Sequence, residues 1–134
     1  MATTRRLVFF FLAVFLSFAA ESSAKAGPTP MASAGNSYTV ALRSDGTLWA
    51  WGANNSGQIG DGTNINRTAT PVQIGTGTDW SQAAAGSYHT VALKSDGTLW
   101  AWGYNGDGAL GDGTGINRYA PVQVGTDANW SQVA

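Results

Sequence analysis

The chain has 134 residues, a formal net charge of −1, 11% charged residues and no cysteine. This length is enough for one small domain, and the lack of cysteine excludes disulfide cross-links. The low content of Lys and Arg excludes a surface built to displace counterions from nucleic acid.

The first 26 residues have the three parts of a secretory signal peptide. Arg5 and Arg6 form a positive start, residues 7–20 form an apolar run, and Ala24 and Ala26 offer two alternative cleavage positions. The apolar run is shorter than the roughly 20 residues of a membrane-spanning helix. Cleavage is therefore favoured over an uncleaved anchor, no stable membrane span is expected afterwards, and we predict a secreted or periplasmic protein.

Cleavage would leave a short linker, residues 27–33, and an acidic chain with a net charge of about −3. Its four cations are Arg43, Arg67, Lys94 and Arg118, and its seven acidic residues are Asp45, Asp61, Asp79, Asp96, Asp107, Asp112 and Asp127. This balance further argues against a nucleic-acid partner.

One stretch, SDGTLWAWG, occurs at residues 44–52 and again at residues 95–103. A period near fifty residues is typical of propellers, solenoids and repeat arrays. The first repeat is predicted to span residues 34–84 and the second residues 85–134. The two align with a single one-residue gap near Thr70, and roughly two-thirds of the aligned positions are identical.

Each repeat is predicted to contain four short strands. Residues 38–42 and 47–51 form a hairpin in the first repeat, where Asp45-Gly46 should supply a tight turn with two positive φ angles. A strand near residues 70–74 contains a proline, which belongs at a sheet edge. The small residues 83–86 favour close packing of neighbouring sheets. We therefore predict an all-β fold: two blades of a β-propeller, each a four-stranded antiparallel sheet, in an incomplete ring.

The tryptophans of the repeated motif alternate with alanine and so point to one face of each sheet. They are Trp49 and Trp51 in the first repeat, and Trp100 and Trp102 in the second. We expect all four to fill the space between adjacent blades, because tryptophan buries more area than any other side chain.

Three segments of the second repeat, HTVAL (89–93), DGTLWAWG (96–103) and NGDGALG (105–111), resemble the repeats of the regulator of chromosome condensation family. The first repeat carries the same pattern of residues, with Tyr38 in place of His89. The resemblance implies a seven-bladed propeller that acts in nucleotide exchange, in chromatin, in ubiquitin ligases or, when secreted by bacteria, as a binding protein.

Two repeats are fewer than the four to eight blades of a closed propeller. We expect the chain to be the N-terminal part of a longer protein that supplies the remaining blades. The alternative is a two-blade chain that completes a ring by oligomerisation.

No catalytic, cofactor-binding or metal site is predicted. His89 is the only histidine and is expected to be a hydrogen-bonded strand residue. Paired aspartates that recur in both repeats are expected to form turns rather than acid/base pairs. The glycine-rich loops 57–62 and 106–113 precede no helix, so they are not phosphate cradles. Calcium binding by Asp107 and Asp112 matches no known ligand spacing.

Positions that differ between the repeats are the candidates for binding. Tyr88, Tyr104, Asp107 and Tyr119 stand where the first repeat has Ser37, Ala53, Ser56 and Thr68. Tyrosine is enriched in protein interfaces, although neutral drift explains the same differences. We predict a non-enzymatic module that binds a protein partner through its rim loops. The alternatives are part of a secreted enzyme or carbohydrate-binding propeller, and an exchange or chromatin role, which the signal peptide disfavours.

Overall fold

The computed structural model describes residues 26–134, which contain eight strands in two four-stranded antiparallel sheets. The predicted signal peptide lies outside the described residues, except for Ala26. The first sheet has the order β1-β2-β3-β4 and the second has the order β5-β6-β7-β8. The strands are β1 (Met31–Ala34), β2 (Tyr38–Leu42), β3 (Leu48–Gly52), β4 (Arg67–Gln73), β5 (Trp80–Ala85), β6 (His89–Lys94), β7 (Leu99–Gly103) and β8 (Arg118–Gln123). Within residues 26–134 there is no helix of the length and apolarity needed to cross a membrane.

The central hairpin of each sheet forms as predicted, because β-branched and aromatic residues flank a turn with glycine. In the first sheet, Gly46 N–H donates to the Arg43 carbonyl at 3.0 Å, and only Gly46 of the Asp-Gly pair has positive φ, at +79°. The prediction of positive φ at Asp45 is therefore wrong. The Asp45 carboxylate instead accepts hydrogen bonds from the N–H and hydroxyl of Thr47.

Pro71 and Pro121 lie in β4 and β8, which are edge strands as predicted. Each of these strands pairs with its neighbour through a register shift. Between the paired positions on either side of this shift, Arg67 and Val72 in β4 and Arg118 and Val122 in β8, β4 contains one residue more than β8. The irregular pairing accommodates the extra residue. The single-residue gap near Thr70 is thus accommodated without moving the rest of the sheet.

The sheets are offset from the sequence repeats. The connection between the sheets falls at residues 74–79, whereas the predicted repeat boundary lies between residues 84 and 85. Residues 80–85, at the end of the first repeat, form the first strand of the second sheet. Likewise, β1 begins at Met31, inside the stretch predicted as a linker.

The core lies between the two sheets. One face of the first sheet packs against one face of the second, which contributes Trp80, Ala92 and the fully buried Trp102. The residues supplied by the first sheet and its following segments are Tyr38, Val40, Leu42, Leu48, Ala50, Ile59 and Ile74. Trp80 packs on Trp100 and Trp102 with ring centroids 6.2 and 5.9 Å apart.

Of the four motif tryptophans, Trp100 and Trp102 lie on the face of the second sheet that meets the first, whereas Trp49 and Trp51 face away from the second sheet, on a side where residues 26–134 place no further blade. The first sheet turns its buried Val40 and Ala50 toward the second sheet, and strand alternation places Trp49 and Trp51 on the opposite face. Both are partly exposed there, with the Arg43 guanidinium 5.9 Å from the Trp49 ring centroid.

Candidate partner-binding surface

The long loop after the third strand of each sheet is organised around a buried asparagine. In the second sheet this is Asn105, which is fully buried. Its side-chain oxygen accepts from Leu110 N–H at 3.0 Å, and its amide donates to the carbonyls of Thr114 and Ile116 at 2.9 and 3.2 Å. Asn54 makes equivalent bonds in the first sheet. Because a buried amide needs all of its partners, the loop backbone is fixed in both repeats.

An aspartate–arginine pair closes the same loop. Asp112 accepts from the N–H and hydroxyl of Thr114 and from Arg118 Nε at 2.6 Å. The hydrogen bond from the Thr114 hydroxyl, followed by that from Arg118, holds the pKa of Asp112 far below its usual range. Asp61 repeats the arrangement, and there burial opposes the bonds from Thr63 and Arg67, which still leave its pKa lowered. Both carboxylates are therefore ionised structural groups with their oxygens engaged.

Two of the predicted contact residues, Tyr88 and Tyr104, lie side by side at one end of the second sheet. Tyr88 sits in the turn between β5 and β6, and its carbonyl accepts from Tyr104 N–H at 2.8 Å. The two residues are 48% and 38% exposed. Asn36 of the first sheet donates to the Tyr88 hydroxyl at 3.0 Å, so residues of both sheets meet here.

Tyr119 lies at the same end of the second sheet, near the outer edge. It follows Arg118, which pairs with Gly103 at the end of β7, and the residue is 43% exposed. Its carbonyl accepts from Gly62 N–H of the first sheet's loop at 2.8 Å. The three tyrosines are thus anchored by their backbones and leave much of their rings in solvent.

Asp107, the fourth predicted contact residue, is exposed in the loop that the buried asparagine organises. That loop carries Tyr104 at its start, and Tyr119 follows its last turn. We name the set Tyr88, Tyr104, Asp107 and Tyr119 the rim surface.

The other candidate residues have structural surroundings. His89 lies in β6 and is half-buried, and its carbonyl accepts from the Tyr38 hydroxyl. Burial raises the pKa of Tyr38 to about 12, although the hydrogen bond with Thr90 acts to lower it. Asp45 and Asp96 accept from the threonine two residues later. Within residues 26–134, no three His, Cys, Asp or Glu side chains group as metal ligands.

Sequence reasoning missed Asn36 as a bridge between the sheets, and missed Asn54 and Asn105 as the loop organisers. The repeats do carry a signal for the second pair, since both keep an asparagine two residues after the motif glycine. No sequence signal identifies Asn36, because its role depends on the tyrosine of the neighbouring repeat.

A family model described as the regulator of chromosome condensation (RCC1) repeat matches residues 45–93 and 96–134, and a second with the same description matches residues 80–109. Among curated proteins, the mitochondrial RCC1 domain-containing protein RUG3 of Arabidopsis thaliana is 37% identical over 97 residues, which cover 72% of this chain and 22% of the relative. The ultraviolet-B receptor UVR8 of the same plant is 39% identical over 88 residues, or 64% of this chain and 20% of the receptor.

Among solved structures, yeast RCC1 (Prp20), crystallised with Kap60 bound, superposes with a TM-score of 0.66 at 22% identity. The match covers 78% of this chain and 26% of the yeast chain. The two sheets are therefore blades of a β-propeller. The chain spans about a fifth of the length of these two plant relatives.

Proposed function

The chain belongs to the regulator of chromosome condensation repeat family, and on this premise we propose that it is an exported, non-enzymatic module that binds a protein partner through its rim surface. The observation that carries the proposal is the gathering of the exposed Tyr88, Tyr104 and Tyr119 at one end of the second sheet. Rigid scaffolds present binding residues on loops of this kind.

A comparison of the two repeats supports this binding role. Both fix the long loop with the same buried asparagine and the same aspartate–arginine pair. On these matching frames, the second repeat carries tyrosines where the first carries Ser37, Ala53 and Thr68. An interface that depends on a few aromatic anchors needs this arrangement, because rigid tyrosines lose little conformational freedom on binding.

A non-enzymatic role is supported by the chemistry of the carboxylates. Asp61 and Asp112 are bound to arginines and threonines, so neither is free to accept a proton from a substrate. A binding role is supported by the yeast relative of the same fold, which was crystallised with a protein partner. Export is supported by the N-terminal sequence pattern alone.

The experiment replaces each rim tyrosine with the residue that the first repeat holds at the same position. Tyr88→Ser, Tyr104→Ala and Tyr119→Thr are matched substitutions, because the first repeat forms the same blade with those residues at the equivalent positions. The chain is expressed in its host with its own N-terminal segment, and the tagged protein is used to capture partners from the extracellular fraction. Asp127→Asn, at an exposed position outside the rim surface, is the control.

We expect the parent chain and the control to capture a protein partner. The amount captured by each tyrosine variant should be lower by about tenfold or more. Retention of the protein inside the cell, or capture that is unchanged in all three variants, would refute the proposal. Binding to a glycan array that persists in the three variants would also overturn it, in favour of a carbohydrate-binding propeller.

A further inference from the structure

The contact between the two sheets joins a turn of the first sheet to a tyrosine of the rim surface. In the turn between β1 and β2, Asn36 donates its backbone N–H to the Ser87 carbonyl at 3.3 Å. Its side-chain amide donates to the Tyr88 hydroxyl at 3.0 Å. Both bonds cross from one sheet to the other. They tie Tyr88 to the first sheet at the peptide that precedes it and at the far end of its ring.

The turn that carries Asn36 is held in an unusual conformation. Ser37 has a φ of +70°, and it is the one residue other than glycine with a positive φ within residues 26–134. This conformation is unfavourable for an L side chain and persists where surrounding contacts determine it. The second repeat has Ser87 and Tyr88 at the two equivalent positions, and its turn has no positive φ. The strained backbone therefore accompanies the residue that bonds to Tyr88.

A glycine in the long loop of the first sheet has a similar relation to Tyr119. The Tyr119 ring lies against the backbone of Gly57, where a Cβ would collide with the ring. The same Cβ would lie 2.9 Å from Tyr119 Cα and from the Arg118 carbonyl oxygen. Because any side chain at this position would displace the ring, the loop backbone of the first sheet is the surface against which Tyr119 packs.

Both tyrosines occupy positions that stay accessible beside a neighbouring sheet. Ser37 and Thr68 hold the equivalent positions in the first sheet, and both are exposed although the second sheet packs against the first. A further sheet packed in the same way against the second would leave Tyr88 and Tyr119 accessible. The contacts that hold the two rings lie between the two described sheets.

We propose that Asn36 and Gly57 are positioning residues for the rim surface. Asn36 fixes the orientation of Tyr88, and Gly57 fixes that of Tyr119, so the binding surface is formed by two blades together and not by the second blade alone. The consequence for binding rests on the proposed function. A ring that is already held in one orientation loses less conformational freedom when it meets a partner.

The first variant is Asn36→Ser, which introduces the residue that the second repeat holds at this position. It keeps the backbone bond to Ser87 and removes the donor to the Tyr88 hydroxyl. The second variant, Gly57→Ala, has Gly75→Ala as its control. Both glycines have positive φ, +82° and +67°, but a Cβ at Gly75 would meet no atom within 4 Å.

The measurement is the side-chain torsion χ1 of Tyr88 and Tyr119, from NMR couplings in the full chain. Urea unfolding checks that each variant is folded. In the parent chain and in Gly75→Ala, we expect each tyrosine to occupy one χ1 rotamer. Tyr88 should be averaged over several rotamers in Asn36→Ser, with an unchanged urea midpoint. Tyr119 should change its rotamer in Gly57→Ala.

The protein captured by the parent chain serves as the probe of binding. Its affinity for Asn36→Ser should be about two- to tenfold weaker, the cost of ordering one side chain. In a Tyr88→Ser background, Asn36→Ser should cause no further loss, because both changes act through one ring.

Three outcomes would overturn the proposal: a Tyr88 that is averaged over rotamers in the parent chain, a Tyr88 that keeps one rotamer in Asn36→Ser, or a full further loss of affinity in the Tyr88→Ser background. An unchanged Tyr119 in folded Gly57→Ala would overturn the role of Gly57. If the parent chain captures no protein, the proposed function fails, and the rotamer measurements alone decide whether Asn36 and Gly57 position the two rings.

Discussion

The contact between the sheets predicts that substitution of two tryptophans of the same motif will lower the stability by very different amounts. Trp102 is fully buried between the sheets, and its indole N–H donates to the Gln58 carbonyl at 3.0 Å. Trp51 occupies the same motif position on the face of the first sheet that the second sheet does not cover. Trp102→Phe and Trp51→Phe therefore make the same chemical change in two different environments.

The magnitude follows from what Trp102→Phe removes. The lost hydrogen bond costs about 1 kcal/mol, and the smaller ring gives up apolar burial worth about 1 kcal/mol. The Gln58 carbonyl is not left unpaired, because the Thr90 hydroxyl also donates to it. We expect a loss of about 2 kcal/mol for Trp102→Phe, and of less than about 0.5 kcal/mol for Trp51→Phe.

The assay is urea unfolding of the parent chain and both variants, followed by tryptophan fluorescence and by circular dichroism. Protein near 1 µM keeps any association between copies small. The free energy of unfolding should fall for Trp102→Phe with an unchanged slope, which identifies a change of stability rather than of compactness. Equal losses in the two variants, or a larger loss for Trp51→Phe, would refute the packing of Trp102 between the sheets.

Three further predictions concern buried polar groups. Asn105→Ala should cost about 2 to 4 kcal/mol in urea unfolding, because it leaves the Leu110 N–H and two carbonyls without partners, whereas Asn55→Ala, at an exposed position, should have little effect. Stability should decline below about pH 4, the ordinary pKa of aspartate in the unfolded chain. The folded state lowers the pKa of Asp61 and Asp112, so the stability that their ionised forms provide is lost as they are protonated. A thermal midpoint unchanged from pH 6 to pH 2 would contradict this. Burial raises the pKa of Tyr38 to about 12, so stability should also fall as pH rises from about 10, the unfolded value, through the folded value, and Tyr38→Phe should remove that part of the decline.

Much of the fold could be predicted because local sequence signals determine most strands and turns of each repeat. The hairpin of β2 and β3 and the proline-containing edge strands follow from turn residues, β-branched residues and proline chemistry. The different surroundings of Trp49 and Trp51 on one hand, and of Trp100 and Trp102 on the other, could not be predicted in this way. Strand alternation shows that the two tryptophans of each pair share a face, but it does not show which face meets the neighbouring sheet.

The rim surface could be predicted only in part. Differences between the repeats identified Tyr88, Tyr104 and Tyr119 as variable positions, and turn chemistry placed them near loops. Their common location at one end of the second sheet, and the bond from Asn36 to the Tyr88 hydroxyl, depend on how the sheets pack. Contacts that join residues about fifty positions apart leave no periodic trace in a single sequence.

The outer strands β4 and β8 have a consequence for how molecules of this kind meet. Each carries a proline without a backbone donor and an irregular register, so neither outer strand offers the flat, unbroken ladder that fibril growth requires. Cross-β stacking is thereby discouraged along the outer border of both sheets. At this border, crowded molecules are left to meet through side chains, which can distinguish one neighbour from another.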